Sequence, residues 1–157
     1  MKVYTDGSYD RKNNPNICGF AVVFILPNDG FSVLYGGSSE KEYVEMWNVG
    51  GEILAARFAI DYCLNKFETD KIDLYHDYIG ISKWPTGLWK CNKDATLEYK
   101  NYVKEMQDKI KIAFHHVKGH SGDYYNMIAD HYAKEGILLA SNQKKNIMMY
   151  KEFIDEK

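Results

Sequence analysis

Residues 19–26 read Gly-Phe-Ala-Val-Val-Phe-Ile-Leu, an unbroken apolar run closed by Pro27-Asn28-Asp29-Gly30. A short run rich in β-branched and aromatic residues suits a strand, and its lack of alternation implies cover on both faces. The fold must therefore place helices on each side of a sheet. Residues 20–27 are the longest apolar stretch and fall far short of a membrane span. The Asn-Asp-Gly turn signal leads to a further strand over residues 31–36. With an opening strand before it, this predicts a three-stranded antiparallel meander.

The opening strand is Lys2-Val3-Tyr4-Thr5, with Asp6 at its expected end and Gly7 breaking it. Asp is depleted in strands, and a buried unpaired carboxylate is costly. Two readings account for Asp6: an ordinary Asp-Gly turn, or a ligand to a divalent cation. Residues 9–16 read as a loop. From Val49 the period becomes helical, with Ile53, Ala56, Ile60, Cys63 and Leu64 forming one stripe and Glu52 in the first turn. Residues 72–76 alternate as a strand that Asp77 ends, repeating the pattern of Asp6. The helical crossover between makes these two strands parallel neighbours.

Residues 78–84 suggest a short helix, and 95–109 a longer one with Leu97, Tyr102, Val103 and Met106 inward. A strand over 111–117 follows, then the glycine-flanked loop at 118–122. The last helix spans 123–140, capped by Asp123, with Asp130 on the face of Ala133 and Ile137. Residues 141–157 read as a short packing helix or a loose tail. The expected architecture is α/β in one domain, 1–157: a five-stranded mixed sheet, three antiparallel strands then two parallel ones, with helices on both faces.

Charge and cysteine content narrow the setting. Net charge is −2, but residues 83–118 carry eight Lys against four acids while residues 1–82 carry seven basic against twelve acidic side chains. Such a division suits phosphate on one part and a metal on another; a plain solvated helix face gives the same count. Cys18, Cys63 and Cys91 are odd in number and form no C-x-x-C pair, which disfavours a disulfide framework or a zinc site. With Met1 leading straight into a strand, no signal peptide and a cytoplasmic location are expected.

Four carboxylates thus need one explanation: Asp6 and Asp77 end neighbouring strands, and Glu52 and Asp130 lie on helices that should pack on that sheet, although Glu52 alone, in a first turn, is unremarkable. Clustered oxygen ligands favour hard cations such as Mg²⁺ or Mn²⁺. At this point the chain resembles the type 1 ribonucleases H, over about residues 1–136. The motifs are Tyr4-Thr5-Asp6-Gly7-Ser8, Asn48-Val49-Gly50-Gly51-Glu52, Tyr75-His76-Asp77, and His116-Val117-Lys118-Gly119-His120-Ser121-Gly122 followed by Asn126 and Ala129-Asp130. The likeness is greatest to a compact Gram-positive-bacterial type, through Asp77-Tyr78-Ile79-Gly80-Ile81 and Trp84-Pro85-Thr86-Gly87-Leu88-Trp89-Lys90.

The resemblance implies a ribonuclease H-like fold and hydrolysis of the RNA strand of RNA–DNA hybrids, leaving 5′-phosphate and 3′-hydroxyl ends. It implies two Mg²⁺ ions, with Mn²⁺ a substitute, held by Asp6, Glu52, Asp77 and Asp130. His120 would assist proton movement or product release. Gly7, Ser8 and Asn48 are the expected contacts to the RNA strand, with Asn14 toward the DNA-strand phosphate. Trp84 or Trp89 with Lys83 and Lys90 would meet DNA sugar and phosphate, and Asn126 is a further expected substrate contact. The enzyme is expected to be a monomer with no membrane partner. Three positions depart from the family pattern: Val49 stands where many members carry a second Asn, Trp47 where a polar or basic residue is usual, and Tyr78 where Ser is common. Rival readings are another metal nuclease of the same fold superfamily and a non-catalytic nucleic-acid-binding module.

Overall fold

The computed structural model describes residues 1–119, 122–143 and 148–155. Three antiparallel strands open the chain: β1 (Lys2–Asp10), β2 (Asn14–Ile25) and β3 (Phe31–Ser38). α1 (Lys41–Val44) and α2 (Asn48–Asn65) then lead to β4 (Lys71–His76), parallel to β1. α3 (Gly80–Lys83) and α4 (Asp94–Met106) lead to β5 (Lys111–His116), parallel to β4. After α5 (Tyr124–Ala140), β6 (Met148–Asp155) pairs antiparallel with β3, so the sheet runs β5-β4-β1-β2-β3-β6.

Strand alternation distributes the apolar run of β2 between two cores. Phe20, Val22 and Phe24 point with Val3, Ile72 and Leu74 into the larger core, against Ile53, Ala56 and Ile60 of α2. Val23 points the other way, with Tyr4 and Val33, against Ala129 of α5. Both faces of β2 are therefore buried, which is why its sequence shows no polar alternation. Among the described residues, no helix is long and apolar enough to cross a membrane.

The structure corrects the expected fold in three places. The sheet has six strands, not five, because the segment expected as a packing helix or loose tail forms β6. Tyr150 and Ile154 of that strand are more than half exposed, and Lys151 and Glu152 are also on the surface, so no apolar periodicity marks it. Lys66, just past α2, pairs with Glu152, and Phe58 packs against Tyr150, fixing this edge to α2. Second, β1 continues through Asp10, leaving residues 11–13 as a tight turn rather than a long loop. Third, Leu97 is exposed: α4 turns Ala95, Tyr99, Val103 and Met106 inward, and a residue two positions from Ala95 lies about 200° around the helix.

The N-terminal end of α2 rests on β1 and β2 with backbone against backbone. A Cβ on Gly51 would fall 2.0 Å from the Gly19 carbonyl oxygen. One on Gly7 would fall 2.3 Å from both the Asn48 carbonyl oxygen and the Glu52 amide nitrogen. Neither neighbour is a side chain that can rotate away. Gly51→Ala is therefore expected to lower stability by about 1–3 kcal/mol or more in urea unfolding, since overpacking here must lift the helix. An unchanged unfolding midpoint would show that the helix has room to shift.

Candidate active site

The last rung of the parallel ladder between β1 and β4 pairs Thr5 with His76. The next residue on each strand is a carboxylate, Asp6 or Asp77, so the ladder delivers two acids side by side. β1 runs on beyond this point, with Asp6 opposite Ala21 of β2, whereas β4 stops. The first turn of α2, seated through Gly51, sets Glu52 against the same spot. One oxygen from each of Asp6, Glu52 and Asp77 lies within 4.8 Å of the others.

Burial makes this cluster costly. Asp6 is 3% exposed and Glu52 2%. Gly7 N–H donates to Asp6 Oδ1 at 2.9 Å, but Oε2 of Glu52 is buried without a hydrogen-bond partner among the described residues. Burial pushes the Asp6 carboxyl up to about 7; Asp77 and Asp130 add to the rise, while hydrogen bonds to Glu52 and Gly7 oppose it. Burial first, then the charges of Asp6 and Asp77, holds Glu52 well above the ordinary carboxylate range. Three converging acids with an unused oxygen, joined by no sulfur or imidazole among the described residues, form a donor set suited to a hard divalent cation.

Neighbouring groups hold the frame. His116 Nε2 lies 3.0 Å from the Asp77 carbonyl oxygen, and Val117 N–H donates to the His76 carbonyl at 2.8 Å. His76 is buried, with Nδ1 3.0 Å from the Tyr78 carbonyl oxygen. Burial lowers its pKa to about 4, so it stays neutral beside the acids.

The carboxylates open into a cavity of about 560 Å³ whose lining includes Gly7, Asn48, Tyr78, Asn126, Met127 and Asp130. Asp130 reaches this cavity from α5 but stands outside the tight trio, and its Oδ2 accepts from Lys134 Nζ at 3.0 Å. Asn126 is buried in the first turn of α5, where Asp123 caps its N–H at 3.0 Å. Ser8 and Asn14 line a second cavity of about 550 Å³, with Arg11, Lys12 and Lys134.

The other expected DNA-side residues, Lys83, Trp84, Trp89 and Lys90, lie around α3 and line neither cavity. Trp84 is 7% exposed and belongs to the core, which corrects its assignment as a surface contact. It packs edge-on to Trp89 at 5.7 Å, and Trp89 is the ring that remains 37% exposed. Tyr78 touches both. Lys83 ends α3 half-buried, and Lys90 is exposed. His120 lies outside the described residues. Sequence reasoning assigned no site role to Tyr78, Met127 or Lys134. The four-residue spacing of Asp130 and Lys134 was a usable signal; nothing in the sequence marked Met127.

The raised carboxyls carry a pH signature. Asp6 has an unfolded pKa near 3.8 and a folded pKa of about 7. The metal-free protein therefore bears no penalty from this group below about pH 4, and loses stability as pH rises through 7. Glu52 acts with the same sign. His76, with its lowered pKa, acts oppositely and costs stability as pH falls below its unfolded value. Asp6→Asn isolates the first effect: it should stabilise the metal-free protein by about 1–3 kcal/mol at pH 8 and by little at pH 4 in paired denaturation curves. Equal effects at both pH values would contradict the assigned shift.

Comparison with known proteins places this geometry. The RNase H family model matches residues 1–138. A ribonuclease H of Rhizobium johnstonii is 32% identical over 87% of this chain and 91% of its own length. That of Orientia tsutsugamushi is 28% identical over 99% and 92%. Among solved structures, RNase H1 of Halobacterium salinarum superposes with a TM-score of 0.67 at 23% identity, over 87% of this chain and 96% of its own. LC11-RNase H1 in complex with RNA/DNA hybrid gives 0.66 at 19% identity, over 88% and 97%. These are likenesses of fold, while the family match and the Rhizobium relative reach further. The chain belongs to the ribonuclease H family and is an enzyme of that family.

Proposed function

We propose that this enzyme hydrolyses the RNA strand of RNA–DNA hybrids in a divalent-metal-dependent reaction that leaves 5′-phosphate and 3′-hydroxyl ends. The observation that carries the reading is the convergence of Asp6, Glu52 and Asp77 within 4.8 Å, Asp6 and Glu52 buried and a Glu52 oxygen unpartnered among the described residues. The solved LC11-RNase H1 complex with an RNA/DNA hybrid supports the choice of substrate.

Asp6, Glu52 and Asp77 would hold Mg²⁺ or, in its place, Mn²⁺, and Asp130 would complete a second position across the cavity. Such a pair of ions, when bound, activates a water and steadies the leaving oxygen of a phosphodiester. The chain's own part is to fix the donors. The β1–β4 ladder and the Gly7–Gly51 contact hold three acids at short range, so little reorganisation remains for the reaction. Lys134 keeps Asp130 oriented along α5. Gly7, Ser8, Asn48 and Asn126 suit the RNA strand, where 2′-hydroxyls need polar partners. Trp89, Lys83 and Lys90 suit the DNA strand, with Trp84 supporting Trp89 from beneath. Asn14 suits a flanking phosphate, and His120 a proton-transfer role. The reading also takes residues 1–157 as one domain acting as a monomer in the cytoplasm.

The test is cleavage of a labelled hybrid in Mg²⁺ beside duplex RNA, duplex DNA and single-stranded RNA. Cleavage confined to the hybrid is expected, with Asp6→Asn losing roughly 10²–10³-fold or more. Equal cutting of duplex RNA would refute the substrate assignment. Hybrid binding without cleavage in Mg²⁺ or Mn²⁺ would refute hydrolysis.

A further inference from the structure

Trp47 stands where α1 gives way to α2 and is 57% exposed. Its backbone lies at φ 57°, ψ −130°, a left-handed region that favours glycine. Trp47 N–H donates to the Val44 carbonyl at 3.0 Å, and Val49 N–H to the Met46 carbonyl at 3.1 Å, so the turn is held on both sides. Strain at an exposed aromatic, retained within a closed hydrogen-bonded turn, points to a use for the side chain outside folding.

The ring is also positioned. It stacks on Tyr9 with centroids 6.5 Å apart and planes 25° from parallel. Tyr9 is anchored in turn, its hydroxyl donating to the Pro15 carbonyl at 2.9 Å. Tyr9 follows Gly7 by two residues on β1, on the same strand face, so the pair continues the surface where α2 meets the sheet. Trp47 adjoins Asn48, which lines the acidic cavity, while Tyr9 lines the second cavity with the exposed Arg11 and Lys12. The shelf thus lies on the ridge between a site for metal-bound phosphodiester and a basic surface suited to further phosphates.

We infer that Trp47, seated on Tyr9, is a specificity-determining residue that receives one unpaired nucleobase of a strand leaving the hybrid duplex, with Arg11 and Lys12 meeting that strand's phosphates. The inference rests on the proposed hybrid-cleaving activity. An indole offers a flat π surface, and a base inside a duplex has both faces covered by its neighbours. A base beyond the paired stack has a free face to match, and such stacking does not depend on base identity. The enzyme would therefore favour hybrids bordered by a single-stranded extension over blunt ones.

The experiment compares KM for a blunt hybrid with KM for the same hybrid extended by unpaired nucleotides at each of its four strand ends. Wild type, Trp47→Ala and Trp47→Phe are measured as full chains, with thermal unfolding as a folding control. For at least one extension, wild type should show a KM about five- to tenfold lower than for the blunt hybrid, in keeping with one stacked base. Trp47→Ala should bring that ratio to one, and Trp47→Phe should retain most of it. An independent reading uses 2-aminopurine in the extension: its fluorescence should be quenched on binding Asp6→Asn protein and not on binding the Asp6→Asn, Trp47→Ala double variant. A wild-type ratio of one, or an equal change of KM on blunt and extended hybrids in Trp47→Ala, would overturn the inference. Either result leaves hybrid cleavage itself standing; absence of blunt-hybrid cleavage by wild type would refute that activity separately, with the quenching measurement still deciding the role of Trp47.

Discussion

Everything in this molecule depends on backbone touching backbone where α2 meets the sheet. The contact at Gly7, Gly19 and Gly51 removes the usual layer of side chains between helix and strand. Without it, Glu52 would stand a side chain's depth farther from Asp6 and Asp77. The ladder between β1 and β4 supplies the other half of the constraint, because its last rung fixes which two residues emerge next to each other. Neither element is unusual alone. Together they convert two local features into one buried charge cluster, and they do so with rigid parts rather than loops.

That cluster sets the fold's stability against its chemistry. Asp6 and Glu52, with so little water around them, are costly to ionise. The surrounding core is extensive enough to tolerate the cost: Phe20, Phe24, Leu74, Ile53 and Ile60 are essentially inaccessible to solvent. The apolar run of β2 serves both cores at once, which lets one strand support the helix that carries Glu52 and the helix that carries Asp130.

The sequence discloses the acids because they break local rules. Asp6 interrupts a strand pattern, Asp77 ends one, and Glu52 lies at the edge of an apolar stripe. Their convergence follows from one topological inference, the parallel crossover between β1 and β4. What the sequence could not disclose lies in relations without a periodic signature. Glycines at 7 and 51 do not reveal whose backbone they face. Trp84 and Trp89 have the same composition and neighbouring positions, yet Trp84 is in the core and Trp89 at the surface, since only the packing of α3 separates them. Leu97 is apolar on the solvent side of α4, and helical geometry, not hydrophobicity, decides against it. β6 escapes detection because an edge strand open to water needs no apolar alternation. Asp130 shows the limit of face-sharing arguments: it lines the cavity as its helical face suggests, but an ion pair with Lys134 keeps company with it there.

β6 also bears on how the chain reaches this state. It pairs with β3 across more than a hundred residues, Leu34 opposite Glu152. Such a pairing carries a high loop-closure cost and is among the most non-local in the molecule. During synthesis, β1 to β3 can form their meander long before β6 emerges. Until then the outer edge of β3 presents free backbone donors and acceptors, the arrangement most prone to pairing with another chain. The final strand therefore acts as a late-arriving guard, completing hydrogen bonds that the earlier folding units must leave open.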